Sequence, residues 1–222
     1  MSSPPPHRIW ITRTRPEGAA AQLRAAGFDP VSAPVLETRP VAAEVDLAGV
    51  DALAFTSATG VRAFADVSLE RSLTVFAVGE GTAMAAQAEG FEAVHSSSGD
   101  VRALTTFIAE AKPALVLNPT AREPAADLPA LLAEHGVAAR SLVVYETIPT
   151  GAAVPPGIDS ILIHSPRAAR ILAGQIPADQ APTLTVFAIS EAAASPLRAL
   201  PFARIATAAF PDEASLLDLL QA

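Results

Sequence analysis

The chain has 222 residues, half of them apolar, a formal net charge of −8 and no cysteine. That length buries a core in one large or two small domains, and no apolar run approaches the ~20 residues that cross a bilayer. The acidic balance excludes a general nucleic-acid binder, which needs a basic face against phosphates, and the missing thiols exclude disulfides, thiol catalysis and thiolate metal sites together.

Residues 1–7, Met1-Ser2-Ser3-Pro4-Pro5-Pro6-His7, lack the apolar core of a signal peptide and read as a frayed tail, so a cytoplasmic protein is expected. A first strand over 8–12 leads into a helix over 16–26, with Pro16 favoured at a first helical position and Gly27 as the stop. Trp10 falls inside that strand and reads as core. A strand over 30–35 is followed by a proline-bearing joint at 37–41. Next come strand 51–57, helix 58–65, strand 73–79, helix 81–89, strand 92–95 and helix 101–111. The second half reads as strand 114–120, helix 123–135, strand 139–145, a joint at 146–156, strand 159–165 and helix 166–173. Strands 184–190 and 203–207 and a helix over 212–220 complete it. Several strands are apolar almost throughout, as strands of a parallel sheet covered on both faces must be. Alternation of this kind predicts an α/β fold of two doubly wound parallel-sheet lobes, flavodoxin-like.

The two halves repeat one another. Leu73-Thr74-Val75-Phe76-Ala77-Val78-Gly79-Glu80 returns as Leu184-Thr185-Val186-Phe187-Ala188-Ile189-Ser190-Glu191, and Glu37-Thr38-Arg39-Pro40 as Glu146-Thr147-Ile148-Pro149. Phe55-Thr56-Ser57 is echoed by Ile163-His164-Ser165, and Gly27 by Gly136, at an offset that stays between 108 and 112. The chain is a duplicated unit of about 110 residues. Its joints leave two topologies open. The lobes are either tandem, divided near Ala111–Lys112, or the chain leaves lobe one at the first joint, builds lobe two and returns at the second.

Ligands of an open parallel sheet bind beyond the carboxyl ends of its strands, where helix N-termini offer free N–H groups. At those ends the chain places Thr56-Ser57, Gly79-Glu80-Gly81-Thr82, Asn118-Pro119-Thr120, His164-Ser165 and Ser190. Each alone reads as a helix cap; together they would line an anion site with backbone dipoles, which an acidic protein can still use. Arg13, Arg15, Arg122 and Arg167 stand where a polyanion could meet them. Tyr145, the sole tyrosine, sits where a buried strand meets a joint, either as a boundary residue or as a hydroxyl able to protonate a leaving group. Gly79-x-Gly81 is too short for a dinucleotide fingerprint, no phosphate loop or Gly-x-Ser-x-Gly elbow is present, and the four scattered histidines offer no ligand spacing.

Taken along nearly its whole length, the chain resembles the uroporphyrinogen-III synthase family. The resemblance rests on Thr12-Arg13, Ala33-Pro34-Val35-Leu36-Glu37, Phe55-Thr56-Ser57-Ala58-x-Gly60-Val61, Val78-Gly79-x-x-Thr82-Ala83 and Val144-Tyr145-x-Thr147. It implies the out-and-back topology: lobe one from 1–36 and 150–222, lobe two from 41–145, and a two-stranded linker of 37–40 and 146–149. It also implies a lyase that closes hydroxymethylbilane, a linear tetrapyrrole with eight carboxylates, inverting ring D and losing water; the long joints and the lack of an obvious exposed apolar stripe make a monomer the expectation. No cofactor, metal, nucleic acid or membrane is implied, and hydroxymethylbilane synthase is expected as a transient partner. By position, Tyr145 matches the tyrosine that assists departure of the hydroxyl. Arg13, Thr56, Ser57, Gly79, Thr82, Ser165 and Ser190 match substrate-binding positions. Ser190-Glu191-Ala192-Ala193 departs from the family's Gly-x-x-Thr, bringing a carboxylate toward the polyanion site, and Asn118-Pro119 replaces a more glycine- or arginine-rich turn. That departure leaves a non-catalytic tetrapyrrole-binding or regulatory relative as the alternative.

Overall fold

A computed structural model describes residues 6–220; the tail reading of residues 1–7 falls largely outside them. Strand and helix alternate as β1 (Arg8–Ile11), α1 (Glu17–Ala25), β2 (Asp29–Ser32), β3 (Leu36–Pro40), β4 (Ala52–Phe55), α2 (Ala58–Val67), β5 (Thr74–Val78), α3 (Gly79–Ala88) and β6 (Val94–Ser97). There follow α4 (Val101–Ala111), β7 (Val116–Ala121), α5 (Leu128–Glu134), β8 (Ala139–Pro149), β9 (Ser160–Ile163), α6 (Pro166–Gln175), β10 (Thr185–Ala188), α7 (Glu191–Ala194), β11 (Arg204–Thr207) and α8 (Glu213–Asp218).

Side-chain caps set the helix starts. Ser57 accepts from Gly60 N–H at α2 and Ser165 from Ala168 N–H at α6. Asp100 does the same for Arg102 and Ala103 at α4, Asp127 for Ala130 at α5, and Asp212 for Ser215 at α8. Each such cap contributes about 1 kcal/mol. Ser57 and Ser165 stand at equivalent places in the repeat, as do Asp100 and Asp212, so the duplication reaches down to single hydrogen bonds. α5 starts later than the predicted helix at 123, because Asp127 supplies the cap and Pro129 fits the first turn. The four-residue α7 was not anticipated. His7, placed in the tail by its sequence, has its ring bonded to Ser160 Oγ at 2.9 Å.

The chain divides into two compact units. One holds residues up to Glu37 and from Ile148 on; the other is Thr38–Thr147. The first contains a sheet of order β11-β10-β9-β1-β2, the second one of order β3-β8-β7-β4-β5-β6. The pairs β1–β2, β1–β9, β9–β10 and β10–β11 are parallel, as are β4–β5, β4–β7, β5–β6 and β7–β8. In the first unit the five strands follow the flavodoxin-like sequence 2-1-3-4-5, and in the second the same sheet appears permuted as 3-2-1-4-5. Each unit therefore takes the first two strands of one repeat and the last three of the other. A tandem division near Ala111–Lys112 does not occur, since α4 and β7 belong to one unit. β3 and β8 pair beside the boundary. Val35 carbonyl accepts from Thr150 N–H, and Val41 N–H donates to Val144 carbonyl, so one strand descends as the other rises.

Each sheet buries both faces, and alternate residues of one strand feed different cores. In the first unit Trp10, Ile161 and Ile163 pack with α6 and α7, while Ile9, Ile11 and Leu162 pack with α1 and α8. In the second, Leu53, Phe55 and Val75 meet Val61, Phe64 and Ala86 of α2 and α3. Ala52, Ala54 and Phe76 meet Leu104, Ile108, Leu128 and Leu132 of α4 and α5.

Candidate active site

In the second unit strand order reverses between β4 and β7, and in open parallel sheets ligands bind beyond the carboxyl ends of the strands at such a reversal. Thr56 and Ser57 leave β4 there, both half-buried. Tyr145 reaches the same place through an irregularity in β8. Thr120 of β7 pairs with Val143, yet the next residue, Ala121, pairs with Tyr145, so Val144 is one residue too many. Such a bulge bends a strand and re-aims the side chains beyond it. The tyrosine ring is half-buried, and its hydroxyl lies 3.2 Å from Ser57 Oγ. Ser57 Oγ also accepts from Gly60 N–H at 3.0 Å, so a single oxygen caps α2 and holds the phenol. Beside them Arg122 Nε donates to Glu146 at 2.9 Å. Gly79, at φ 67°, opens α3, and Thr82 is buried in its first turn.

Asn118-Pro119-Thr120 is not a strand-end anion site. These residues are buried inside β7. Pro119 has no N–H for its neighbour, and Asn118 Nδ2 instead donates to Ala54 carbonyl at 2.8 Å across to β4. Against this stretch packs Gly60, where a Cβ would stand 2.9 Å from Pro119 carbonyl oxygen.

In the first unit the reversal falls between β1 and β9. Thr12 directly follows β1, its hydroxyl donating to Leu162 carbonyl at 2.6 Å. Arg13 follows, and it is not free: Nη1 lies 2.7 Å from Glu213 Oε2. Glu213 is also 3.3 Å from His164 Nε2. His164 precedes Ser165, the α6 cap, and its side chain is only 10% exposed. The Glu213 carboxyl is held below the usual carboxylate range, first by the His164 hydrogen bond and less by Arg13. Arg13 is nearer, but its contact is the more open to solvent, which screens it. Ser190 caps α7, and Glu191 is turned onto Arg198 through two contacts of 2.8 and 2.6 Å. The Glu191 charge anticipated near a polyanion is thus balanced within its own unit, and its carboxyl is lowered chiefly by the Arg198 hydrogen bond.

The family profile described as "Uroporphyrinogen-III synthase HemD" matches residues 17–218. The chain belongs to the uroporphyrinogen-III synthase family. Its fold is that of uroporphyrinogen-III synthetase from Helicobacter pylori, at a TM-score of 0.70 and 18% identity over 97% of this chain and 98% of that one. A mutant uroporphyrinogen III synthase from Thermus thermophilus aligns at 0.56 and 18% identity over 97% of each chain. No curated protein matches the sequence.

Two other constellations carry no chemistry of their own. His7, Ser160 and Asp159 stand in the order of a hydrolase triad, but Ser160 is 1% exposed and Asp159 accepts from Arg8 N–H. They tie β1 to β9. A hollow of about 380 Å³ lined by Phe76, His95, Phe107 and Lys112 opens at the amino ends of β4 and β5, the edge of the sheet opposite Tyr145. Depth alone therefore does not mark this site. Sequence reasoning missed the partners of Arg13 and His164, since Glu213 lies 200 and 49 residues away with no spacing to betray it. No helix among the described residues is long and apolar enough to cross a membrane.

Proposed function

We propose that this chain converts hydroxymethylbilane to uroporphyrinogen III as a cofactor-independent lyase, with Tyr145 as general acid. Family membership over residues 17–218 supports the reaction. The observation that carries the site is the Tyr145 hydroxyl 3.2 Å from Ser57 Oγ at the strand-order reversal. Ser57 already accepts from Gly60, so its own proton can go to the phenol oxygen. In that arrangement the tyrosine proton points away, toward substrate, and the Ser57 hydroxyl stabilises the phenolate that remains.

The reaction then balances simply. Electrons of the terminal pyrrole expel the hydroxyl, which takes the Tyr145 proton and leaves as water, and a cationic azafulvene, its ring N–H retained, remains beside the phenolate. Ring D attacks it to give the spiro intermediate. The bond from ring D to the bridge carbon of ring C then breaks, leaving a second azafulvene cation on ring C; ring D closes on it through its free α-carbon, and the proton lost there as aromaticity returns restores the phenol. Backbone N–H groups at the first turns of α2, α3 and α6, with Thr56, Thr82, Ser165 and Ser190 beside them, receive substrate carboxylates. Holding a flexible octacarboxylate in one folded arrangement is the larger contribution. The protein acts as a monomer, meeting hydroxymethylbilane synthase only transiently.

A coupled assay tests this. Porphobilinogen, its deaminase and this protein are combined, and the oxidised products are separated by chromatography. Uroporphyrin III is expected; isomer I alone from folded protein would refute the synthase reading.

A further inference from the structure

We infer that Arg13 and His164 form a carboxylate subsite of the first unit, and that Glu213 occupies it as a built-in placeholder which a substrate carboxylate displaces. This rests on the synthase reading above.

Three observations support it. First, one carboxylate is gripped from two sides, by Arg13 Nη1 at 2.7 Å and by His164 Nε2 at 3.3 Å, at the strand-order reversal and next to the cap of the ten-residue α6. A ligand carboxylate carries the group that Glu213 presents. Second, His164 is nine-tenths buried and its Nδ1 has no hydrogen-bond partner among the described residues, so no bond at that nitrogen fixes the ring. A histidine serving only the fold is expected to have that atom satisfied. Third, the repeat shows that the fold does not need the carboxylate and the imidazole. Asp100 and Asp212 cap equivalent helices, and the residues matching Glu213 and His164 in the other unit are Val101 and Thr56. The same sheet forms there without either group. Glu213 also rides on a lightly anchored element: α8 has six residues and buries Leu216 alone.

Displacement predicts a gain from removing the placeholder. Uroporphyrin III serves as probe, its affinity followed by porphyrin fluorescence at fixed salt on circular-dichroism-verified protein. Glu213→Gln should bind it ~2- to 5-fold tighter, the range of an exposed ion pair no longer competing. Asp29→Asn removes an equal charge from Arg8 at the opposite edge of the same sheet and should give no such gain. Adding Arg13→Gln to Glu213→Gln should abolish the gain. Affinity unchanged or weakened in Glu213→Gln, or an equal gain in Asp29→Asn, would overturn the placeholder. Should Glu213→Gln not fold, the wild type still decides. Porphyrin should speed hydrogen exchange at the Leu216 amide, which is bonded to Asp212 carbonyl; unchanged or slowed exchange overturns the idea. Wild-type protein that makes isomer III but fails these tests removes the placeholder alone. Wild-type protein that makes only isomer I and binds no porphyrin removes the synthase reading with it.

Discussion

Gly60→Ala should destabilise the second unit even though alanine is the better helix former. An ideal Cβ at Gly60 stands 2.9 Å from Pro119 carbonyl oxygen, with Ser57 Oγ at 3.5 Å and Phe55 Cδ1 at 3.8 Å. The first of these is backbone, in a strand cross-linked to β4 by Asn118, and it cannot swing aside as a side chain would. Overpacking of this kind costs about 2–3 kcal/mol, and the helix preference of alanine returns about 1. A net loss of about 1–2 kcal/mol follows, or roughly 5–10 °C in the melting of a unit this size. Gly174→Ala is the matched control, since it lies in α6 with nothing within 4 Å of its Cβ, and it should gain ~0.5–1 kcal/mol. Trp10, the only tryptophan, is buried in the first unit, so its fluorescence follows the control while far-ultraviolet dichroism follows both. Gly60→Ala as stable as the wild type would refute the argument, because the clash would have been absorbed.

Tyr145→Phe should lower kcat by about 10- to 100-fold with KM little changed, at the modest end of general-acid effects. Single-turnover isomer assays check this; unaltered turnover removes the tyrosine, and a loss of four orders would show that chemistry outweighs positioning. Glu213 has a lowered folded pKa, so its pairing stabilises the protein above the unfolded value of ~4.3 and fades as pH falls through the lower folded value. Urea midpoints of wild type and Glu213→Gln should differ near neutrality and converge in acid; a gap that persists to the lowest pH contradicts the assignment. Lys112 closes α4 at φ 52°, the left-handed region that glycine enters freely. Lys112→Gly should therefore gain up to ~1 kcal/mol in urea unfolding, and a loss would mean that its side chain supports the unit.

The duplication, the parallel α/β class and the serine caps were legible in the sequence, whereas the strand expected to stop at Tyr145 runs on to Pro149. The legible features depend on residues close along the chain: a period, a cap three residues from its amide, a proline after a strand. Partnering between the repeats was not legible. Leu53 pairs with Leu117 and Ile9 with Ser160, and equal repeats allow either half to supply the neighbouring strand. Only the closing of two sheets decides it. The extra residue at Val144 is likewise invisible, because Val143-Val144-Tyr145 reads as unbroken strand until Thr120 and Ala121 lie beside it. Charge behaved the same way. Arg13 read alone was a free cation awaiting an anion, and folding brought Glu213 from 200 residues away to meet it. Local hydrogen bonding and side-chain period act within a few residues and are written in order along the chain. Strand partners and ion pairs are set by which surfaces can be buried together, and that is decided only when the whole chain packs.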